Sequence, residues 1–183
     1  MGGAVAFCAY QEKPDLFNGV VFCCPMCKIS DSMLPPPIVI NTLLKFIGPR
    51  GANTLLGYLP IAPTKGELRN LSYKLTARRD MVMSAPTGFA RNPRLSTARE
   101  LLDTTARISK QLVSFDAPFL VQHGKEDKVT DPELSQLMYD ESSSKDKTIK
   151  LYDGMWHTLT SGEPEENINL VFNDAISWIS KRV

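Results

Sequence analysis

The order of apolar and polar positions along the chain predicts strands that alternate with helices. Unbroken apolar runs at 20–24 and 118–122, the second leading to His123, are typical of parallel strands buried on both faces. A third run at 148–152 alternates more, as an outer strand does. Helical patterns follow the second and third runs. We therefore expect an α/β fold with about three parallel strands, flanking helices and right-handed crossovers.

Several predicted helices have recognisable ends. Residues 2–10 are small and apolar, and Pro14 ends that helix. Asp131 is a good N-cap and Pro132 suits the first helical position. The last helix starts near Pro164, and we expect its apolar face to dock on the rest of the domain. That face contains Ile168, Val171, Phe172, Ala175, Ile176 and Ile179.

About eighty residues separate the first two predicted strands, which is far too long for a loop. The proline run at 35–37 excludes helix interior there, while 38–47 and 98–110 have helical patterns. We interpret residues 30–111 as an inserted, mainly helical cap. The predicted α/β core then consists of residues 1–29 and 112–183.

Charge is distributed unevenly along an otherwise ordinary globular composition. The chain is 43% hydrophobic and 22% charged, with a net charge of +1, which gives no overall attraction to nucleic acid. Residues 30–111, however, carry 12 Lys and Arg against 5 Asp and Glu. This basic segment is either a solvated surface or a region that attracts an anionic substrate or lipid head group.

No apolar stretch approaches the roughly 18–20 residues that span a bilayer. We expect a cytoplasmic protein, with peripheral contact to membranes through the basic segment as a further hypothesis. The four cysteines are Cys8, Cys23, Cys24 and Cys27. The C-x-x-C at 24–27 has no second ligand pair for zinc and does not open a helix, so we expect reduced, structural cysteines, no metal and no cofactor.

Two side chains follow predicted strands at the same sheet edge and suit acyl transfer. His157 comes after the third strand and Asp127 after the second. A nucleophile needs a base, and the base needs an acid to orient it. The order Asp127 then His157 is that of α/β-hydrolases. Glu126, Asp131 and Asp153 are alternative acids, although Asp131 is better explained as a cap and Asp153 is close to His157 in sequence.

The first residues are similar to the segment that follows the serine of a G-x-S-x-G nucleophile elbow, where small residues such as Gly2 and Gly3 are needed. Segments 1–6, 25–30, 117–124, 129–132 and 153–164 together resemble plant monoacylglycerol lipase-like proteins. That family includes caffeoylshikimate esterases and proteins labelled lysophospholipases.

The resemblance implies the C-terminal part of an α/β-hydrolase with a helical cap. By resemblance, Asp127 is the triad acid, His157 is the base and Met1 occupies the oxyanion-hole position directly after the serine. It also implies a small-molecule ester or lipid substrate, hydrolysed by Ser-Asp-His acyl transfer to water, and no nucleic-acid partner.

The elbow serine and about five N-terminal strands of this family have no counterpart in the sequence. We therefore expect a truncated form of an active esterase that is inactive alone. The alternative is a non-catalytic ligand-binding or interaction module, but the 20–24 strand would then expose a hydrophobic edge. Monoacylglycerol, lysophospholipid and a phenolic ester all remain compatible substrates. Candidate cap contacts are Ile38, Leu43, Leu44, Phe46, Leu55, Leu56, Tyr58, Leu59, Arg78, Arg79, Arg91 and Arg94.

Overall fold

A computed structural model describes residues 1–28, 36–47, 55–60, 68–86 and 93–182. Three strands form one parallel sheet in the order β1-β2-β3. They are β1 (Val20–Cys23), β2 (Phe119–Gly124) and β3 (Lys147–Tyr152). The predicted parallel sheet is confirmed.

Helices flank this sheet and also fill the interval between β1 and β2. The first, α1 (Gly2–Glu12), precedes β1. The interval contains α2 (Pro37–Ile47), α3 (Leu68–Ser72), α4 (Thr76–Ser84) and α5 (Leu95–Gln111). After β2 and β3 come α6 (Pro132–Glu141) and α7 (Glu165–Ile179). Short 3-10 turns occur at Pro14–Leu16, Leu55–Tyr58 and Leu112–Ser114. None of the helices within the described ranges has the length and apolar character to cross a bilayer.

The main core lies between β2, α1 and the end of α5. All six residues of β2 are buried, which explains the apolar run at Phe119–Val121 in this central strand. Phe7 of α1 stacks on Phe115 with ring centroids 4.5 Å apart. Ile108 and Leu112 belong to the same buried cluster. The end of the segment assigned to the cap therefore contributes to the core, and the boundaries at 29/30 and 111/112 remain predictions.

The predicted docking face of α7 is wrong in part. Phe172, Ile176 and Ile179 are 46%, 58% and 45% exposed. The buried residues of this helix are Ile168, Val171 and Trp178. Two contacts explain why the buried side of α7 differs from the predicted one. The Trp178 ring lies against Gly19, and the Gln122 amide of β2 donates a hydrogen bond to the Val171 carbonyl at 2.8 Å. The packing of this large ring and the buried hydrogen bond decide which side of α7 is buried, and the apolar periodicity of the helix does not.

Gly124, at the end of β2, has no room for a side chain. An added Cβ would lie against the Met155 carbonyl oxygen and 2.6 Å from the Trp156 carbonyl oxygen. Because these are backbone atoms of one loop, neither can rotate away. We expect Gly124→Ala to lower the free energy of unfolding by about 1–3 kcal/mol, measured from urea unfolding. Gly2→Ala is the matched control, since nothing lies within 4 Å of that added Cβ. Equal urea midpoints for the two variants would contradict the prediction.

Candidate active site

Two loops meet at the carboxyl edge of the sheet and bring the candidate residues together. The loop between β2 and α6 carries Asp127, and the loop between β3 and α7 carries His157. The Glu126 N–H donates to the Met155 carbonyl at 3.0 Å, which joins the two loops directly. The absence of a side chain on Gly124 permits this approach. The parallel strands therefore set the positions of both loops.

Asp127 and His157 form a short hydrogen bond. Asp127 Oδ2 lies 2.7 Å from His157 Nδ1. The Asp127 side chain is fully buried, whereas the His157 side chain is 28% exposed. Because Nδ1 faces the carboxylate, Nε2 is the ring nitrogen available for proton exchange with another group. The structure thus brings the two predicted residues together, and their catalytic roles remain a prediction.

The Asp127 carboxylate accepts four further hydrogen bonds. Oδ1 accepts from the backbone N–H groups of Val129 at 2.7 Å and Thr130 at 3.0 Å. Oδ2 accepts from the Thr130 hydroxyl at 2.8 Å and lies 3.0 Å from His123 Nε2. Burial by itself raises the pKa of Asp127, but the hydrogen bonds from His123, His157 and Thr130 outweigh it and hold the pKa well below its usual range. The buried group is therefore an anion.

The three alternative acids lie elsewhere. Asp131 caps α6, accepting from the Glu133 N–H at 3.0 Å as the sequence predicted. The exposed Asp153 pairs with Lys125 at 2.7 Å. Glu126 is exposed, although its backbone joins the loops. Of the four candidate acids, the structure places Asp127 against His157.

Cys24 was not singled out by the sequence, yet it lies beside this pair. It follows β1 with a left-handed φ of 43°. Its sulfur, a carboxylate oxygen of Asp127 and an imidazole nitrogen of His157 all lie within 4.8 Å of one another. Burial and the nearby Asp127 raise the pKa of the Cys24 thiol, so the sulfur stays protonated. The 2.7 Å Asp127–His157 contact is also shorter than the roughly 3.4 Å between two ligand atoms on a tetrahedral zinc. The geometry is that of a hydrogen-bonded carboxylate and imidazole.

The loop carrying His157 is held by residues from the predicted cap. The Ser72 carbonyl accepts from the Thr158 N–H at 3.1 Å and from its hydroxyl at 2.8 Å. The Lys74 ammonium donates to the Gly154 carbonyl at 2.7 Å. Contacts on both sides of His157 therefore depend on the last residue of α3 and on the turn that follows it.

Glu163 adds a buried support to the same loop. Its Oε1 accepts from the Trp156 N–H at 2.7 Å, which fixes the residue before His157. Its Oε2 accepts from Asn167 of α7 at 3.1 Å and lies 3.9 Å from the Lys74 ammonium. The sequence had suggested only that this region begins a helix. One carboxylate thus connects the His157 loop, α7 and the predicted cap.

Met1, predicted at the oxyanion-hole position, is the N-cap residue of α1. Its carbonyl accepts from the Ala4 N–H at 3.0 Å and the Val5 N–H at 3.3 Å, while its side chain is exposed. Burial lowers the pKa of its α-amino group. In the part of the chain that the structure describes, no hydrogen bond joins Met1 to Asp127 or His157. The role assigned to Met1 remains a prediction.

The candidate substrate contacts of the cap are only partly described. Arg78 donates to the Ser161 carbonyl at 3.3 Å, and Arg79 pairs with Asp80 at 2.8 Å. Arg94 lies over the Tyr58 ring at 5.5 Å. Ile38 and Leu59 are exposed. Outside the described residues and side chains are Leu43, Leu44, Phe46, Leu55, Leu56 and Arg91. Three of the four arginines thus have partners within the protein.

The low pKa of Asp127 predicts a specific dependence of stability on pH. A folded-state pKa below the unfolded value of about 3.9 stabilises the fold at neutral pH, and this contribution is lost as the pH falls below about 4. Asp127→Asn removes it. The free energy of unfolding of wild type should therefore fall more steeply than that of the variant, by up to about 1.4 kcal/mol per pH unit. Exposed Asp153→Asn is the control and should keep the wild-type slope. If the free energy of unfolding fell equally with pH in wild type and in Asp127→Asn, the prediction would be wrong.

Comparison with known proteins identifies the family of the chain. The Hydrolase_4 family, described as serine aminopeptidase, S33, matches residues 1–165. The chain is 32% identical over 184 residues to caffeoylshikimate esterase from Arabidopsis thaliana, covering 100% of this chain and 53% of that protein. It is 28% identical to monoglyceride lipase from Mus musculus, covering 100% of this chain and 57% of the relative. The chain therefore spans about half the length of these curated relatives.

Solved structures show the same fold. A soluble variant of monoglyceride lipase from Saccharomyces cerevisiae, in complex with a substrate analogue, superposes with a TM-score of 0.77 at 23% identity, covering 99% of this chain and 62% of that one. Monoacylglycerol lipase from Paleococcus ferrophilus gives a TM-score of 0.80 at 21% identity, with 99% and 65% covered. With the family match over most of its length, the chain belongs to the Hydrolase_4 family of α/β-hydrolases.

Proposed function

We propose that the protein is a carboxylic-ester hydrolase in which Asp127 and His157 are the acid and base of a Ser-His-Asp triad. The observation that carries this proposal is the 2.7 Å hydrogen bond between a buried carboxylate and a partly exposed imidazole at neighbouring strand ends. The esterase and lipase relatives support an ester or lipid substrate.

The geometry suits the proton transfers of this reaction. His157 Nε2 takes the proton of the attacking hydroxyl as it bonds to the ester carbonyl carbon. The imidazolium that results faces the Asp127 anion through Nδ1, which stabilises the positive charge. Nε2 then returns the proton to the leaving alcohol oxygen as the ester bond breaks. Water repeats the sequence on the acyl-enzyme, releasing the acid and restoring the hydroxyl.

We propose that the attacking hydroxyl belongs to a serine outside these 183 residues. Among the described residues, the one side-chain hydroxyl that hydrogen-bonds His157 is that of Thr130, 3.1 Å from Nδ1. That hydroxyl donates to Asp127 and lies on the wrong side of the ring for attack. Met1 would directly follow the serine, where its backbone amide in the longer protein would contribute to the oxyanion hole.

A fusion experiment tests this proposal. The portion of the Arabidopsis relative that precedes the matched region, including its nucleophile, is joined to Met1. We expect the fusion to hydrolyse esters and to react with a fluorophosphonate probe, and the 183-residue chain to do neither. His157→Ala in the fusion should reduce turnover by about 10⁶ and Asp127→Asn by about 10⁴. Assays with monoacylglycerol, lysophospholipid and a phenolic ester would rank the substrate classes.

Asp153→Asn is the matched control, because it removes an exposed carboxylate from the same loop as His157 and should leave turnover unchanged. Stoichiometric labelling of a serine in the 183-residue chain would overturn the external nucleophile. Full activity in the His157→Ala fusion would overturn the assignment of the base.

We also propose peripheral contact with anionic membranes through the basic segment at 30–111. Exposed apolar side chains occur within it at Ile38 and at Met81 and Val82 of α4. Twelve Lys and Arg against five Asp and Glu supply the accompanying positive charge. Apolar insertion next to basic residues is the pattern by which a protein binds a membrane surface.

Met81→Asp should reduce sedimentation of the chain with vesicles that contain phosphatidylserine. Losing the insertion of one Met side chain weakens binding by about tenfold, and the added negative charge opposes the lipid head groups. Leu16→Asp is the control, because Leu16 is 71% exposed, close to the 69% of Met81, but lies outside the basic segment. Equal loss in the two variants would count against a contact centred on α4.

A further inference from the structure

A second histidine lies directly behind the Asp127–His157 pair. The sequence places His123 at the end of its strand, and the structure has it as the second-last residue of β2. Its side chain is fully buried. Nδ1 lies 2.6 Å from the hydroxyl of buried Ser135 on α6, and Nε2 lies 3.0 Å from Asp127 Oδ2. Ser135, His123, Asp127 and His157 therefore form one continuous hydrogen-bonded line.

The contacts of the ring determine its tautomer. Nε2 faces the Asp127 carboxylate and, at 3.2 Å, the Thr130 carbonyl, and both are acceptors. The Thr130 hydroxyl, 3.3 Å away, gives its own hydrogen to Asp127 and presents oxygen to the ring. Nε2 must therefore carry a hydrogen. The ring then has its lone pair at Nδ1 if it is neutral.

Ser135 selects the neutral form. A neutral ring accepts the Ser135 hydroxyl hydrogen at Nδ1, so every polar hydrogen has a partner. A charged ring would donate from Nδ1 and leave that hydroxyl hydrogen without an acceptor among the described residues. Ser135 is only 1% exposed, so an unpaired hydrogen there would be costly.

We propose that His123, fixed by Ser135 as the neutral Nε2–H tautomer, is a positioning residue that holds the Asp127 carboxylate towards His157. It does not reach the reacting atoms and acts through Asp127. Its consequence for turnover rests on the proposed ester hydrolysis, but the geometry can be tested on the 183-residue chain without turnover.

Imidazole ¹⁵N NMR on the labelled chain provides that test, because the chain contains only two histidines. We expect His123 to show a protonated Nε2 and an unprotonated Nδ1. We expect His157 to show a downfield Nδ1 proton that exchanges slowly with water. A protonated Nδ1 on His123 in wild type would overturn the proposal, whichever variants fold.

Three variants separate positioning from packing. His123→Leu removes the donor and should speed exchange of the His157 Nδ1 proton by about tenfold, the scale of one lost hydrogen bond to a charged group. His123→Gln offers an amide donor to Asp127 and should keep exchange close to wild type. Ser135→Ala should leave the Nε2 proton of His123 in place, because Asp127 and the Thr130 carbonyl accept it, and should change the Nδ1 chemical shift, because the hydroxyl that donates to Nδ1 is gone. Amide spectra confirm the fold of each variant.

Unchanged exchange in a folded His123→Leu, or equal effects of Leu and Gln, would overturn the proposal. These results are independent of the fusion assay. An inactive fusion with the expected ring-proton pattern would count against ester hydrolysis while leaving the positioning intact. An active fusion in which His123 carries its proton on Nδ1 would support ester hydrolysis and overturn the positioning role of His123.

Discussion

The Asp127 carboxylate is the group around which the edge of this sheet is organised. A buried anion is costly unless its lone pairs are occupied, and here donors come from two backbone N–H groups, a hydroxyl and two imidazoles. Those donors belong to β2, to the loop after it and to the loop after β3. Satisfying one charge therefore fixes the relative positions of three segments. Loss of any one donor would alter the hydrogen bonds of the others, because all of them bind the same two carboxylate oxygens.

Much of the framework for this arrangement could be predicted from the sequence, because it depends on local chemistry. An unbroken apolar run gave β2, and Asp131 with Pro132 gave the start of α6. The pairing of Asp127 with His157 followed from two strand ends that must share an edge. The bonds from the Val129 and Thr130 amides were not predicted, although an Asp side chain in a turn often binds a backbone N–H group two residues later.

The rest depended on contacts distant in the sequence. The buried side of α7 is set by Trp178 packing against Gly19, which no periodicity within the helix can indicate. Glu163 looked like the start of a helix, but its carboxylate turns inward to the Trp156 N–H. Cys24 was grouped with its neighbouring cysteines, and its proximity to Asp127 appears only once β1 and β2 are paired.

The contacts of Ser72 and Lys74 with the His157 loop limit how this protein can be redesigned. Caps are attractive units to exchange between relatives when a new substrate is wanted, since they lie apart from the strands. In this chain the hydrogen bonds to Thr158 and Gly154 come from Ser72 and Lys74, which lie in the predicted cap. A graft that replaced residues 72–74 would remove them and leave His157 on a loosened loop. An exchange of the predicted cap should therefore keep residues 72–78 and place the junctions of the graft outside them.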